Sequence, residues 1–125
     1  MKKIVKTDQA PAPIGPYNQA VKANGFLFVS GQIPADPKTG EILKGTIEEE
    51  TELVMENLNA ILTEAGLSFK NIVKSSIFIK NMDDFAKINS VYGSYFTDNF
   101  PARETVEVAR LPKDVNVEIS VIAVE

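Results

Sequence analysis

Hydrophobic positions recur along the chain at two periods, which predict six strands and two helices. Alternating or continuous apolar runs of strand length occur at 3–6, 19–23, 26–30, 72–79, 102–108 and 115–124. The dipeptide Asn24-Gly25 tolerates positive φ and predicts a tight hairpin between the second and third strands. After the third strand, residues 31–34 are expected to leave the sheet.

The first predicted helix has clear signals at both ends. Thr46 and Glu49 have the spacing of a capping box, and an apolar stripe at helical spacing runs from there to Gly66, which is expected to end the helix. The acidic residues 48–50 suit the electropositive start of a helix. A metal site is the weaker explanation of this run, because adjacent carboxylates fan around a helix instead of converging.

The second helix is expected to begin at Asn81 or Asp83 and to carry an aromatic stripe as far as Phe96, most of which belongs to the core. The order β-β-β-α-β-α-β-β over residues 1–125 predicts one α+β domain with a mixed sheet and two helices on one face. The last strand is apolar on both faces toward its end, which indicates that the other face is partly buried in an oligomer.

Composition removes several kinds of chemistry. The chain has no Cys and no His, which excludes disulfides, thiolate nucleophiles and the side chain that most readily exchanges protons near neutral pH. Thirteen basic and seventeen acidic residues give a net charge of −4, which makes nucleic acid an unlikely partner for this chain. No stretch resembles a signal peptide or a membrane span, so a cytoplasmic protein without a membrane partner is expected.

Two charges lie within predicted strands, Arg103 and Glu118. With a side-chain period of two, Arg103 and Thr105 share a strand face. The apolar residues assigned to the helix side are Val106, Val108, Val117 and Ile119. On this assignment Arg103 and Glu118 both point away from the helices and could face each other or a common ligand. From residue type alone, a salt bridge between them or across a subunit boundary is the simpler explanation.

Short motifs around these charges occur in a characteristic order. They are Ala12 to Tyr17, Ser30 to Pro34, Asp36 to Glu41, Asp84-Phe85 with Asn89, Pro101 to Arg103, Val106 to Pro112, and Val117 to Ile119. Each motif is weak alone, but together they resemble the RidA/YjgF family of reactive-intermediate deaminases over nearly the whole chain.

The resemblance implies a chorismate-mutase-like fold, assembled as a homotrimer with clefts between subunits. It also implies hydrolysis of 2-imino or enamine acids, such as 2-aminoacrylate, to 2-keto acids and ammonia, without a cofactor or a metal. Arg103 would clamp the substrate carboxylate and Glu118 would hold water. The other implied site residues are Tyr17, counted with the catalytic pair, and the substrate-binding residues Ser30, Gly31, Asn89 and Thr105.

Each of those cleft residues also has an ordinary structural interpretation. Tyr17, which the proline-rich segment before it is expected to hold in place, could simply close an interface. Ser30 and Gly31 could end a strand, and Asn89 could be a polar residue on a helix surface. Only the joint match of the motifs favours the functional interpretation.

Two positions depart from the family pattern. Glu104 stands where a small or apolar residue is usual. The alternation of side chains along the strand predicts that Glu104 points away from Arg103. A bulge in the strand would instead let Glu104 pair with Arg103 and block the carboxylate site. Thr105 stands where some relatives have cysteine, so thiol chemistry is absent. If Glu118 lies within reach of Arg103, its pKa should be lowered, which would make it orient water more than deprotonate it.

Two alternative functions remain open. Some members of the family are called ribonucleases or translation inhibitors, but the acidic balance and the lack of His disfavour RNA cleavage. A non-catalytic trimer that binds 2-keto acids would use the same arginine clamp, and the sequence does not separate it from the enzyme.

Overall fold

The computed structural model describes all 125 residues and has the predicted order of elements. The strands are β1 (Lys3–Val5), β2 (Ala20–Ala23), β3 (Phe26–Gln32), β4 (Ile72–Ile79), β5 (Ala102–Glu107) and β6 (Val117–Val124). The helices are α1 (Ile47–Glu64) and α2 (Phe85–Gly93). The α+β class is therefore confirmed. Neither helix combines the length and apolar character that crossing a bilayer requires.

All six strands form one mixed sheet in the order β1-β2-β3-β6-β4-β5. Only β4 and β5 are parallel, as expected for strands joined by a helical crossover, here α2. A core of 21 buried residues lies between one face of the sheet and the helices. The opposite face is open and carries exposed apolar side chains, among them Phe28 and Val106.

Several element bounds differ from the sequence prediction, among them those of β3 and α2. The expectation that Gly31 leaves the sheet was wrong, because β3 continues to Gln32 with a shift of register against β6 after Val29. The second helix ends at Gly93, a poor helix former, instead of at Phe96. Phe96 nevertheless packs against the core from the loop that follows. Asn81 caps a single 3₁₀ turn before α2, and its side chain accepts a hydrogen bond from the Asp83 amide.

The start of α1 confirms the predicted capping box. Thr46 Oγ1 accepts from the Glu49 amide at 3.1 Å, and Glu49 Oε1 accepts from the Thr46 amide at 2.9 Å. Glu50 turns inward, where both carboxylate oxygens lie within 3.2 Å of the side-chain nitrogen of Asn116, while Glu48 stays exposed. The three carboxylates therefore diverge, as helix geometry requires.

We expect Glu50→Gln to stabilise the protein near neutral pH. Burial is the main cause that raises the pKa of the Glu50 carboxyl above its ordinary 4.5. The folded protein then binds this proton more tightly than the unfolded chain, so stability falls as pH rises through and above 4.5. Glutamine avoids this loss and can still accept from Asn116.

Urea unfolding measured across pH checks this expectation. The variant should be more stable than wild type near neutral pH, and the difference should vanish as pH falls below 4.5. Glu48→Gln, at an exposed position in the same turn, is the matched control. An equal gain in both variants would contradict the assignment to burial.

Candidate active site

Arg103 lies on β5 at the edge of the sheet and points toward the helices. It pairs directly with Ser75 of β4, which is fully buried on the helix side, and paired residues share a face. The expectation that Arg103 points away from the helices was therefore wrong. Val106, which was assigned to the helix side, is 40% exposed on the open face. The position of β5 at the edge of the sheet explains the error. Because α2 covers this strand only partly, the alternation of apolar residues along β5 does not show which of its faces belongs to the core.

The guanidinium of Arg103 is held by α2 without an anionic partner. Nη1 donates to Asn89 Oδ1 at 2.7 Å, and Cζ lies 5.1 Å from the ring centroid of Tyr92 and 5.8 Å from that of Phe85. The three salt bridges of the chain do not include Arg103. A salt bridge within the chain therefore does not explain this arginine. Asn89 is its hydrogen-bond partner and not merely a polar residue on the helix surface.

Thr105 lies on the same face of β5, two residues further along. Its Oγ1 is buried and is the only buried side-chain polar atom of the chain that lacks a hydrogen-bond partner. A buried hydroxyl without a partner loses the hydrogen bonds that water would give it, so native proteins rarely leave one unused. The N–H donors of Arg103 that Asn89 leaves unused can bind a ligand, and the Thr105 hydroxyl lies buried on the same strand face.

Glu104 points to the opposite face, as predicted. The pairing of β4 with β5 is regular, without a bulge. The Glu104 carboxylate lies 2.8 Å from Lys74 Nζ, and hydrogen bonds from Lys74 and Ser76 lower its pKa. Within the chain, Glu104 therefore does not pair with Arg103 and does not block it.

Glu118 lies on the open face of the sheet, where it pairs with Phe78 across β6 and β4. Burial raises the pKa of its carboxyl, and no cation of the chain offsets this effect. The expected lowering of this pKa by Arg103 is therefore wrong for the single chain, since the arginine occupies the other face. A buried carboxylate of this kind is a stronger base than an exposed one.

Gly31 allows Glu118 to lie directly against β3. A Cβ built on Gly31 would come within 2.3 Å of Glu118 Oε2. Tyr17 and Ser30 border the same cleft, whose other walls come from Ile14, Ile33 and Pro112. The sequence-predicted residues Tyr17, Ser30, Gly31 and Glu118 are thus brought together.

Gln19 is the residue of this region that sequence reasoning missed. The residue is 2% exposed, and its side chain accepts from the Thr7 amide and donates to the carbonyls of Thr7, Ala10 and Pro11. Its own carbonyl accepts from the Ser30 amide at 2.9 Å. Gln19 therefore ties the proline-rich segment that leads to Tyr17 to β3. Proline stiffness alone does not hold Tyr17, and one glutamine gives no periodic signal that could have revealed this role.

The predicted residues form two half-sites on opposite faces of the sheet. The clamp half-site contains Arg103, Asn89 and Thr105 on the helix face. The carboxylate half-site contains Glu118 with Tyr17, Ser30 and Gly31 on the open face. No three carboxylates converge to hold a metal ion. The clamp half-site can bind an anion and the carboxylate half-site can hold water or accept a proton, but one chain does not bring the two into a single cleft.

Known proteins resemble this chain over almost its full length. The family described as endoribonuclease L-PSP matches residues 7–125. A RutC family protein of Pyrococcus horikoshii is 56% identical over 98% of each chain. Among solved structures, a Rid family protein of Yersinia pestis, YyfA, is 46% identical over the whole of each chain with a TM-score of 0.97. Escherichia coli TdcF with bound serine is 47% identical over 98% of each chain with a TM-score of 0.94.

We expect Gly31→Ala to displace Glu118 while the fold is retained. The new methyl group would overlap the far end of a flexible side chain, which must move by about 1 Å to restore ordinary contact. The ¹³C chemical shift and the titration of the Glu118 carboxyl should both change in NMR spectra.

Gly93→Ala is the matched control, since nothing lies within 4 Å of the position a Cβ would take there. It should leave the Glu118 signal as in wild type. A Gly31→Ala protein with an unaltered Glu118 signal would show that the close approach does not hold in solution.

Proposed function

Because the chain belongs to the Rid/YjgF family, we propose that it is an enzyme that hydrolyses reactive 2-imino and enamine acids to 2-keto acids and ammonia. In the terms of its simplest substrates it is a 2-iminobutanoate/2-iminopropanoate deaminase. One observation carries the proposal: Arg103 is a preordered guanidinium with no anionic partner in the chain. An arginine held in this way is suited to a carboxylate ligand.

The clamp half-site supplies substrate binding. A guanidinium has five N–H donors, and Asn89 is the only side chain of the protein that accepts from Arg103. The remaining donors can hold a carboxylate by two parallel charge-assisted hydrogen bonds, which orient it as well as bind it. The structure of the relative TdcF with bound serine supports this class of ligand, since serine carries an α-carboxylate.

We propose that the active cleft forms between subunits of a homotrimer, as the family resemblance implies. Arg103 lies at the free edge of the sheet, whereas Glu118 faces the open side, so a neighbouring subunit must bring the two together. Apolar side chains such as Phe26 and Phe28 are 42% exposed on that open face. Burying them against another subunit would stabilise the assembly.

The proposed reaction needs no cofactor. Water adds to the C=N carbon of the imino acid and one of its protons passes to nitrogen, which gives a carbinolamine. The hydroxyl proton of this intermediate then moves to nitrogen as the C–N bond breaks, which releases ammonia and the 2-keto acid. Glu118 accepts a proton from the water and returns it to the departing nitrogen. Its raised pKa suits this exchange, provided that the substrate carboxylate neutralises Arg103. An enamine such as 2-aminoacrylate first takes a proton at carbon to become the imine.

Positioning of the substrate and of the water supplies most of the rate acceleration that proton transfer by Glu118 does not. An imine is already electrophilic, so a fixed carboxylate and an oriented water are sufficient to accelerate its hydrolysis. We assign Tyr17 and Ser30 to the wall beside the reacting carbon. Thr105, with its unused hydroxyl, lies on the same face of β5 as Arg103.

A ribonuclease is the second candidate, because the matched family is described as endoribonuclease L-PSP. The net charge of −4 and the absence of His count against it. A non-catalytic 2-keto-acid-binding trimer is the third. It would bind keto acids through Arg103 but would not accelerate imine hydrolysis.

Keto-acid release from 2-aminoacrylate tests the proposal. A pyridoxal-dependent serine dehydratase generates the enamine, and wild-type protein should accelerate pyruvate formation beyond the spontaneous rate. Arg103→Lys should lower kcat/KM at least about tenfold, because lysine keeps the charge but loses the paired hydrogen bonds. Arg110→Lys, which alters the only other arginine, is the matched control and should match wild type. Absence of acceleration by wild type would refute the deaminase.

Mixed assemblies test the position of the cleft. Arg103→Ala and Glu118→Gln proteins should each be inactive. When they are unfolded together and reassembled at equal ratio, about a quarter of the clefts should combine an intact arginine with an intact glutamate from different subunits. Activity should recover to about that fraction. If no activity returns while the variants co-assemble, the two residues do not act across a subunit boundary.

A further inference from the structure

We propose that Tyr92 is a positioning residue for Arg103, with its ring holding the guanidinium and its hydroxyl anchored on Ser75. This inference rests on the proposed function, because it assigns a role to a residue behind the carboxylate clamp. No sequence motif singled out Tyr92, which belongs to the aromatic stripe that was assigned to the core.

The geometry links the three residues directly. Ser75 and Arg103 are register partners on β4 and β5, so both side chains point toward α2 from neighbouring positions. The Tyr92 hydroxyl donates to Ser75 Oγ at 2.8 Å, and the centroid of its ring lies 5.1 Å from Arg103 Cζ. Tyr92 is 4% exposed and Ser75 is fully buried. The hydrogen bond is therefore one of the contacts that hold the ring against the guanidinium, and burial of the ring is another.

The remaining contacts of the ring favour one orientation. Phe96 packs against Tyr92 with a centroid distance of 4.9 Å. The Tyr92 ring thus rests on the aromatic cluster as well as against Arg103. Burial raises the pKa of Tyr92, which keeps the phenol neutral and makes the contact a cation–π interaction instead of an ion pair.

A ring suits this position because it uses none of the N–H donors of the arginine. A carboxylate in its place would occupy the donors that the substrate needs. An aliphatic side chain would fill space without attracting the cation. Tyr92 therefore orders the arginine before substrate binds, which reduces the loss of side-chain freedom on binding. Asn89 acts beside it and takes a single donor.

The test compares Tyr92→Phe with Tyr92→Leu in the intact protein. Tyr92→Phe loses the anchor on Ser75 but keeps the buried ring and its packing on Phe96, so it should bind pyruvate within about twofold of wild type. Tyr92→Leu should weaken pyruvate binding and raise KM for 2-aminoacrylate by about tenfold, with a smaller change in kcat, because the clamp acts in the ground state as well as in the transition state.

NMR gives a readout that does not depend on activity. The chain has two arginines, so the Nε–Hε signal of Arg103 is identified by the loss of the other signal in Arg110→Lys. In wild type the Arg103 signal should be displaced by ring currents. In Tyr92→Leu the chemical shift of the Arg103 signal should move toward that of the exposed Arg110, whereas in Tyr92→Phe it should stay near the wild-type value.

Phe69→Leu is the matched control, since Phe69 packs on Tyr95 and Phe96 but has no contact with the arginine. It should destabilise the same cluster and leave pyruvate binding and the Arg103 signal unchanged. If Tyr92→Leu does not fold, Tyr92→Met takes its place, because it fills the space without a ring.

Two results would overturn the proposal: a folded ringless variant with wild-type pyruvate affinity and Arg103 signal, or equal losses in Phe69→Leu. If wild type neither binds pyruvate nor hydrolyses the enamine, the proposed function fails. In that case the NMR comparison still shows whether the Tyr92 ring holds the Arg103 guanidinium.

Discussion

The parallel pairing of β5 with β4 determines on which face of the sheet the Arg103 side chain lies. Because Arg103 lies opposite Ser75, its side chain must point toward α2, where Asn89 and Tyr92 hold it. Glu118 follows the alternation of β6 on the open face. Strand geometry allows no intermediate position, since a shift by one residue would reverse every side chain of β5. The separation of the clamp from the carboxylate within one chain follows from this register.

Buried amides hold the loops that complete the carboxylate half-site. Gln19 satisfies four backbone groups of the segment before Tyr17, and Asn57 of α1 donates to the carbonyls of Ile33 and Ala35 after β3. Loops of this kind lack ladder partners, so their buried backbone groups need side-chain substitutes. Each amide makes its loop part of the rigid scaffold and thereby fixes the wall of the cleft.

Sequence patterns predicted what depends on local spacing. The capping box at Thr46, the bounds of β4 and the order of the elements were all confirmed, because near neighbours in the chain determine them. The face of Arg103 could not be predicted, since Val106 is apolar on the exposed side of an edge strand. The anchor at Gln19 also escaped prediction, because its partners lie 8 to 12 residues away in an irregular segment.

Arg103 carries a charge without an anionic partner in a chain whose net charge is negative. The chain carries a net charge of −4, so its long-range field repels anions in proportion to their charge. At short range a single guanidinium outweighs that field for a small monoanion, which approaches within a Debye length of it. A polyanion extends beyond this guanidinium and meets the net negative charge of the chain as well. If Arg103 is the clamp that we propose, this balance of charge would favour small acids over polyanions at the site.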